Sequence, residues 1–334
     1  MHTGNIKQEG DIVLREVSIE IIRRCLNNCM HCSSMSGPAC REMIPLNKFK
    51  EVVQHAKMLG AETICLSGGE PFLHEQIIEM IEYVSQIGLN CFVYTSGIVE
   101  DRGRAISIST DIFSRISTTV TKVIFNVEAS REETYDLIMG TTGCFEIMKT
   151  SISNAVATGI HTEAHFVPMR LNINEIDATI NLCKLLGILT ISFLRLVPHG
   201  RAALHANKLC LTYPEMCAIK KQLRELSETY GSAIRIGVPL STDEVCHKCE
   251  AACGKINIRY DGRVFPCEVF KNNQMQEVMG EIFPDNIYEN SFYTIYKESK
   301  YLNHIRELSV TYPKTAAETC IGQYMLEWGE RKND

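Results

Sequence analysis

The segment Cys25-Leu26-Asn27-Asn28-Cys29-Met30-His31-Cys32 places three thiols on one short stretch, directly behind the apolar-rich run 13–21. With 15 cysteines in 334 residues, chance would supply this C-x3-C-x2-C spacing only ~0.03 times in the chain. A β-branched run that empties into a loop of thiols predicts a strand followed by a metal-binding loop. Soft sulfur ligands suit an iron–sulfur cluster or zinc. Three thiolates can hold three irons of a 4Fe–4S cluster, which leaves the fourth iron open or bound to a distant ligand. A structural zinc site is the alternative on spacing alone.

Working outward, the same strand-then-helix rhythm repeats. Short β-branched or aromatic runs at 13–21, 63–66, 90–94, 122–127, 162–167 and 190–196 read as strands buried in a parallel sheet. Between them, apolar residues at helical spacing predict helices over 46–59, 74–87, 104–120, 131–159 (divided near 140–143) and 173–186. Six βα units predict a parallel α/β fold, as a partial barrel or an open sheet, with ligands at the carboxyl ends of the strands. The pattern changes after His199-Gly200-Arg201. A helix over 213–230 and a strand over 233–238 lead to a second cysteine group, a turn at Asp261-Gly262 and a helix around 291–308. The expected division is 1–205, a linker helix and strand over 206–240, and a small α+β unit over 241–334.

Composition excludes several function classes. A charged fraction of 22% with 45% hydrophobic residues is that of a folded globular chain rather than a disordered one. The net charge of -6 offers no general attraction to nucleic acid or anionic lipid. The start, MHTGNIKQEGD, lacks the apolar run of an export signal, and no 18 apolar residues run together, so a cytoplasmic protein with no membrane span is expected. In that setting grouped cysteines point to metal or redox chemistry rather than disulfides. The isolated Cys40, Cys65, Cys91, Cys144, Cys183, Cys210 and Cys217 read as small hydrophobes by default.

One βα unit beyond the thiols stands Leu66-Ser67-Gly68-Gly69-Glu70-Pro71, where two glycines expose backbone groups beside a carboxylate. Together with the cysteine triad, this resembles the radical S-adenosylmethionine (SAM) superfamily, and the resemblance covers nearly the whole chain. Cys25, Cys29 and Cys32 match its cluster motif. Gly68, Gly69 and Glu70 match the segment that grips the methionyl amino group. Tyr94-Thr95-Ser96-Gly97 looks like a strand-end "TNG" with Ser96 in place of Asn, and Phe125-Asn126-Val127-Glu128-Ala129 looks like "SLDG". Arg195-Leu-Val-Pro-His-Gly-Arg201 resembles the sixth-strand segment of the branch with an extra C-terminal Fe–S domain. Ile138-Met139-Gly140 departs from that branch's "IRG". The resemblance implies a partial (β/α)6 TIM-like barrel with a small twitch or truncated-SPASM Fe–S domain. It further implies that Ser96, Asn126 and Arg195 complete the SAM site. The reaction it implies is one-electron cleavage of SAM to methionine and a 5′-deoxyadenosyl radical, which abstracts a substrate hydrogen atom away from solvent.

The second group reads Cys246-His-Lys-Cys249-Glu-Ala-Ala-Cys253 and then, after thirteen residues, Cys267. Gly262-Arg-Val-Phe-Pro-Cys267 fits the G-x4-C half of the signature that opens SPASM and twitch domains. Residues 256–260, the Asp261-Gly262 turn and residues 264–265 predict a two-stranded knuckle that gathers distant thiolates; zinc is the alternative. Cys320 alone follows Cys267, so one auxiliary 4Fe–4S cluster is expected. Cys267 is joined by three of Cys246, Cys249, Cys253 and Cys320, with the closely spaced three preferred and Cys320 competing.

Peptide or protein side-chain modification by crosslinking, epimerisation or oxidation is the leading expectation. A small-molecule dehydrogenase, cyclase or epimerase is the second, and a non-catalytic Fe–S or zinc scaffold the third. Only 24 residues precede Cys25, fewer than a winged-helix leader-peptide module needs, which weighs against the first. A flavodoxin or ferredoxin is the implied electron donor.

Overall fold

The computed structural model describes residues 13–240, 249–271, 273–311, 320–322 and 325. The chain runs β1 (Glu16–Ile22), α1 (Leu46–Met58), β2 (Thr63–Gly68), α2 (Ile77–Gln86), β3 (Asn90–Thr95), β4 (Ile98–Asp101), β5 (Arg104–Ser107), α3 (Thr110–Ile116) and β6 (Lys122–Asn126). It continues through α4 (Glu132–Met139), α5 (Cys144–Ala157), β7 (Thr162–Phe166), α6 (Ile176–Leu185), β8 (Thr190–Phe193), the one-turn α7 (Arg201–Leu204) and α8 (Ala206–Leu209), and α9 (Tyr213–Tyr230). The remaining elements are β9 (Ile234–Ile236), β10 (Lys255–Ile258), β11 (Val264–Phe265), α10 (Asn273–Met279), α11 (Phe292–Glu298) and α12 (Lys300–Thr311).

The six strands expected from the βα rhythm lie side by side and parallel in the order β1-β2-β3-β6-β7-β8. The helices cover them through the apolar faces read from the sequence. Phe49, Val52, Val53 and Ala56 of α1 are buried, as are Ile77, Ile78, Met80, Ile81 and Val84 of α2. Truncating one of these, Phe49→Ala for instance, costs about 3–5 kcal/mol by the usual cavity penalty. The sheet is longer than six strands. β9 adds in parallel beyond β8, and β10 adds in parallel beside β1 with its antiparallel partner β11 outermost. The knuckle of the C-terminal unit is therefore part of the barrel sheet, and one apolar core runs from Val17 and Ile19 through Ile256, Phe265, Phe292 and Tyr301.

Two expectations are corrected. The helix read over 104–120 is instead the hairpin β4–β5 followed by the short α3. Arg102 and Gly103 both take positive φ at its turn (48° and 79°), the requirement of a two-residue hairpin, but Arg102 lacks the Asn or Asp that signals one. The helix around 291–308 is two helices. Ser299 interrupts them, donating to Asp285 Oδ2 (2.5 Å) and accepting from the N–H of Leu302 (3.2 Å) as a cap.

Candidate active site

β1 empties into the cysteine loop at the carboxyl edge of the sheet, where β2, β3 and β6 also end. There a cavity of about 220 Å³ is lined by Cys25, Cys29 and Cys32 together with Gly68 and Gly69, Ser96, Asn126 and, among the residues given no role beforehand, Asn27, His31, Tyr94, Met139 and Arg201. Gly68 sits there by necessity. Its φ is +129°, and a Cβ would collide with the carbonyl of Ile22, while the Gly69 N–H donates to that same carbonyl at 2.6 Å. The glycines thus let β2 close against the base of the cysteine loop, leaving their backbone at the cavity wall.

Glu70 is placed differently from the expectation. It is fully buried behind the glycines and does not line the cavity. Its carboxylate accepts from Thr95 Oγ1 (2.7 Å), from Ser96 N–H (2.8 Å) and Oγ (2.6 Å), and from the Phe72 N–H (3.2 Å). Burial pushes its pKa up, against the pull of these donors. In this arrangement Glu70 joins the ends of β2 and β3, and Ser96 supplies two of the donors. Asn126 faces the cavity and donates to Glu128 Oε1 at 3.2 Å; that buried carboxylate lies 3.5 Å from His31 Nε2. Arg195 is not at this cavity: its guanidinium donates to Cys320 Sγ at 3.4 Å.

Two later segments hold the cysteine loop. The N–H groups of Asn28 and Met30 donate to the carbonyls of Met139 (3.0 Å) and Ile138 (2.8 Å). Gly140 (φ +64°) lies against the carbonyl of Asn28, where a Cβ would clash. Arg201 donates from Nε to the Cys29 carbonyl (2.8 Å) and from Nη2 to the Ser36 carbonyl (2.6 Å), and its N–H reaches the Cys32 carbonyl (2.9 Å). Arg201 was visible in the sequence only as part of a strand-end segment; its role depends on a contact across 172 residues.

The residues present fit an iron–sulfur cluster with SAM. Both side-chain polar atoms of Asn27 and the Ser36 hydroxyl are buried at the cavity without partners, which suits a polar occupant. Burial, and then the nearby Glu70, push the Cys25 thiol up to about 12; burial and the two neighbouring cysteines raise Cys29 as well. A cationic group held by the three sulfurs removes that penalty.

In the second group, burial raises the Cys249 thiol, with Cys320 and Cys253 adding to it, and burial raises Cys267, with Glu268, Cys249 and Cys320 adding to it. Tyr296 Oη donates to the Cys253 carbonyl (2.7 Å) and Arg306 Nε to that of Ala252 (2.9 Å), fixing the loop between them. Cys246 lies outside the described residues. Of the isolated cysteines, Cys65, Cys91, Cys144 and Cys183 are buried.

With this geometry in view, the profile of the Radical SAM superfamily matches residues 19–183, the span from β1 into α6. Residues 19–183 are a radical SAM domain. It is similar to PqqA peptide cyclase of Rhizobium meliloti strain 1021, 26% identical over 292 residues, covering 86% of this chain and 74% of that one. It is also similar to AdoMet-dependent heme synthase of Oleidesulfovibrio alaskensis, 22% identical over 330 residues, covering 92% and 80%. Among solved structures, Streptococcus suis SuiB bound to precursor peptide SuiA matches with a TM-score of 0.71 at 14% identity, covering 88% of this chain and 67% of that one. At that identity the likeness is one of fold. As a radical SAM enzyme, the chain has its first cysteine group and glycine segment at the strand ends where this fold places its chemistry. No helix among the described residues is long and apolar enough to cross a membrane.

Proposed function

We propose that this radical SAM enzyme modifies a peptide or protein side chain, using the cavity at the carboxyl ends of β1, β2, β3 and β6. The observation that carries the reading is the meeting of Cys25, Cys29 and Cys32 with the Gly68-Gly69 backbone at one cavity. When bound, the cluster and SAM supply a 5′-deoxyadenosyl radical that abstracts a substrate hydrogen atom. The chain's own part is to hold the three sulfurs through Arg201 and 138–140, to present Gly68-Gly69 and Asn126 to the cofactor, and to exclude water. The likeness to a peptide cyclase supports a peptide substrate, as does the fold shared with SuiB. A small-molecule cofactor precursor is the second reading, favoured by the heme synthase that aligns with 92% of the chain.

We assign the second cysteine group to one auxiliary 4Fe–4S cluster, on Cys249, Cys253, Cys267 and Cys320, in the manner of a twitch or truncated-SPASM unit. Cys246 and Cys320 compete for the fourth position, and the hydrogen bond from Arg195 to Cys320 Sγ supports Cys320. A flavodoxin or ferredoxin is the proposed electron donor, in the cytoplasm. Anaerobic reconstitution with iron analysis and EPR tests the assignment, and about eight irons per chain are expected with a spectral change on adding SAM. Cys25→Ala is expected to abolish 5′-deoxyadenosine formation under a strong reductant. Zinc in place of iron, or persistent formation in that variant, refutes the reading.

A further inference from the structure

A second cavity, of about 400 Å³, lies on the other side of the cysteine loop, with Ser33 and Ser34 lining both. Its wall carries Arg23 from the end of β1, Arg259 and Tyr260 from the end of β10, and Lys271, and no carboxylate lines it. In a chain of net charge -6, three cations around one cavity do not follow from composition. The guanidinium of Arg23 stands 4.8 Å from the centre of the Tyr260 ring and that of Arg259 stands 5.6 Å from it, so the phenol holds both at its surface. Each cation is also anchored by an acid outside the lining: Arg23 by Glu42 (2.6 Å), Arg259 by Asp261 (2.5 and 2.9 Å) and Lys271 by the buried Glu20. Asp261 takes the Nε and Nη2 of Arg259 and not its Nη1.

We propose that this cavity is a substrate subsite that binds a carboxylate, placing an acidic part of the substrate one loop away from the radical-generating cavity. The proposal rests on the reading of the first cavity given above. Arginine guanidiniums held in advance match the flat carboxylate, whereas the Ser34 hydroxyl is already committed, donating to Glu20 (2.8 Å) and accepting from Lys271 (3.2 Å). Because every cation already balances one acid, recognition rests on directed hydrogen bonds from the guanidiniums more than on net potential. The carboxylate is that of a peptide Asp or Glu side chain or of a small acid, and the two are separable by experiment.

The test titrates the reconstituted enzyme calorimetrically with glutarate and with its uncharged isostere glutaramide. At least tenfold tighter binding of glutarate is expected, weakening with added salt. Leu204, 71% exposed and part of this cavity's wall, allows a variant that leaves the fold alone. Leu204→Glu supplies an internal carboxylate and should cost at least tenfold in glutarate affinity, whereas Leu204→Gln should stay within about twofold of the parent; Arg259→Gln should lose about tenfold. Equal binding of the two probes, or unchanged affinity in Leu204→Glu, overturns the proposal. The tripeptide Ac-Ala-Glu-Ala-NH2 binding more tightly than glutarate identifies a peptide side chain as the source, and the reverse identifies a small acid. Formation of 5′-deoxyadenosine, followed in the same preparations, separates the two ideas. Its absence in the parent enzyme defeats the function proposed above, and its presence without selective glutarate binding defeats only the subsite.

Discussion

The two cysteine groups are assembled by opposite means. Cys25, Cys29 and Cys32 are neighbours in sequence, on a loop whose position comes from distant backbone: the carbonyls of Ile138 and Met139, the close approach of Gly140, and the guanidinium of Arg201. Cys249, Cys253, Cys267 and Cys320 are spread along the chain; the β10–β11 hairpin stands between Cys253 and Cys267, Tyr296 and Arg306 bind the carbonyls of Cys253 and Ala252, and Arg195 reaches Cys320. In the first group the thiols are local and their support is remote. In the second the thiols themselves are remote in sequence, so which of them meet depends on the tertiary fold. Both groups nevertheless share one sheet, because β10 pairs directly with β1, the strand that delivers the first loop.

The comparison breaks most sharply at Gly140. Gly140→Ala forces a side chain into a left-handed conformation against the Asn28 carbonyl, at a cost of about 1–3 kcal/mol, felt at the first loop alone. The expected outcome is loss of about half the bound iron and at least tenfold slower SAM cleavage, with the second group's EPR signal retained. Loss of both signals together would show that the two groups form one cooperative unit.

A smaller effect sharpens the membership of the second group. Cys320→Ser is expected to lower iron content towards the four of the first cluster while SAM cleavage stays within a few-fold of the parent. Cys246→Ser should leave the iron unchanged. The reverse pattern returns the fourth position to Cys246 and leaves Cys320, with its hydrogen bond from Arg195, outside the cluster.

The mildest effect belongs to the barrel side only. Burial lowers the His165 pKa from 6.5 to about 4, with its ring 5.2 Å from that of Tyr94. The folded state therefore prefers the neutral imidazole, whereas the unfolded chain takes up a proton near 6.5. Stability is full above that value and falls as pH drops towards 4, by about 2 kcal/mol between pH 7 and pH 5. His165→Phe should remove that share of the decline in denaturant midpoints, in the parent and in Cys320→Ser alike.

Local spacing along the chain was enough to read the six βα units, the α4–α5 break at 140–143, the α9 helix and the cysteine triad. Each depends on periodicity or on residues a few positions apart, and such patterns survive without tertiary information. The β4–β5 hairpin escaped because its turn uses Arg102 at positive φ, and the Ser299 break because a serine inside a helical pattern gives no warning. The sequence alone determined that three thiols and a Gly-Gly segment stand at successive strand ends. Only the tertiary structure decided that Glu70 lies fully buried with its carboxylate bonded to Thr95 and Ser96, that Arg201 rather than Arg195 reaches the cysteine loop, and that Arg195 reaches Cys320 instead. The physical reason is common to all three. A buried charge must find its partner in space, and nothing in local sequence says which element the fold will bring beside it.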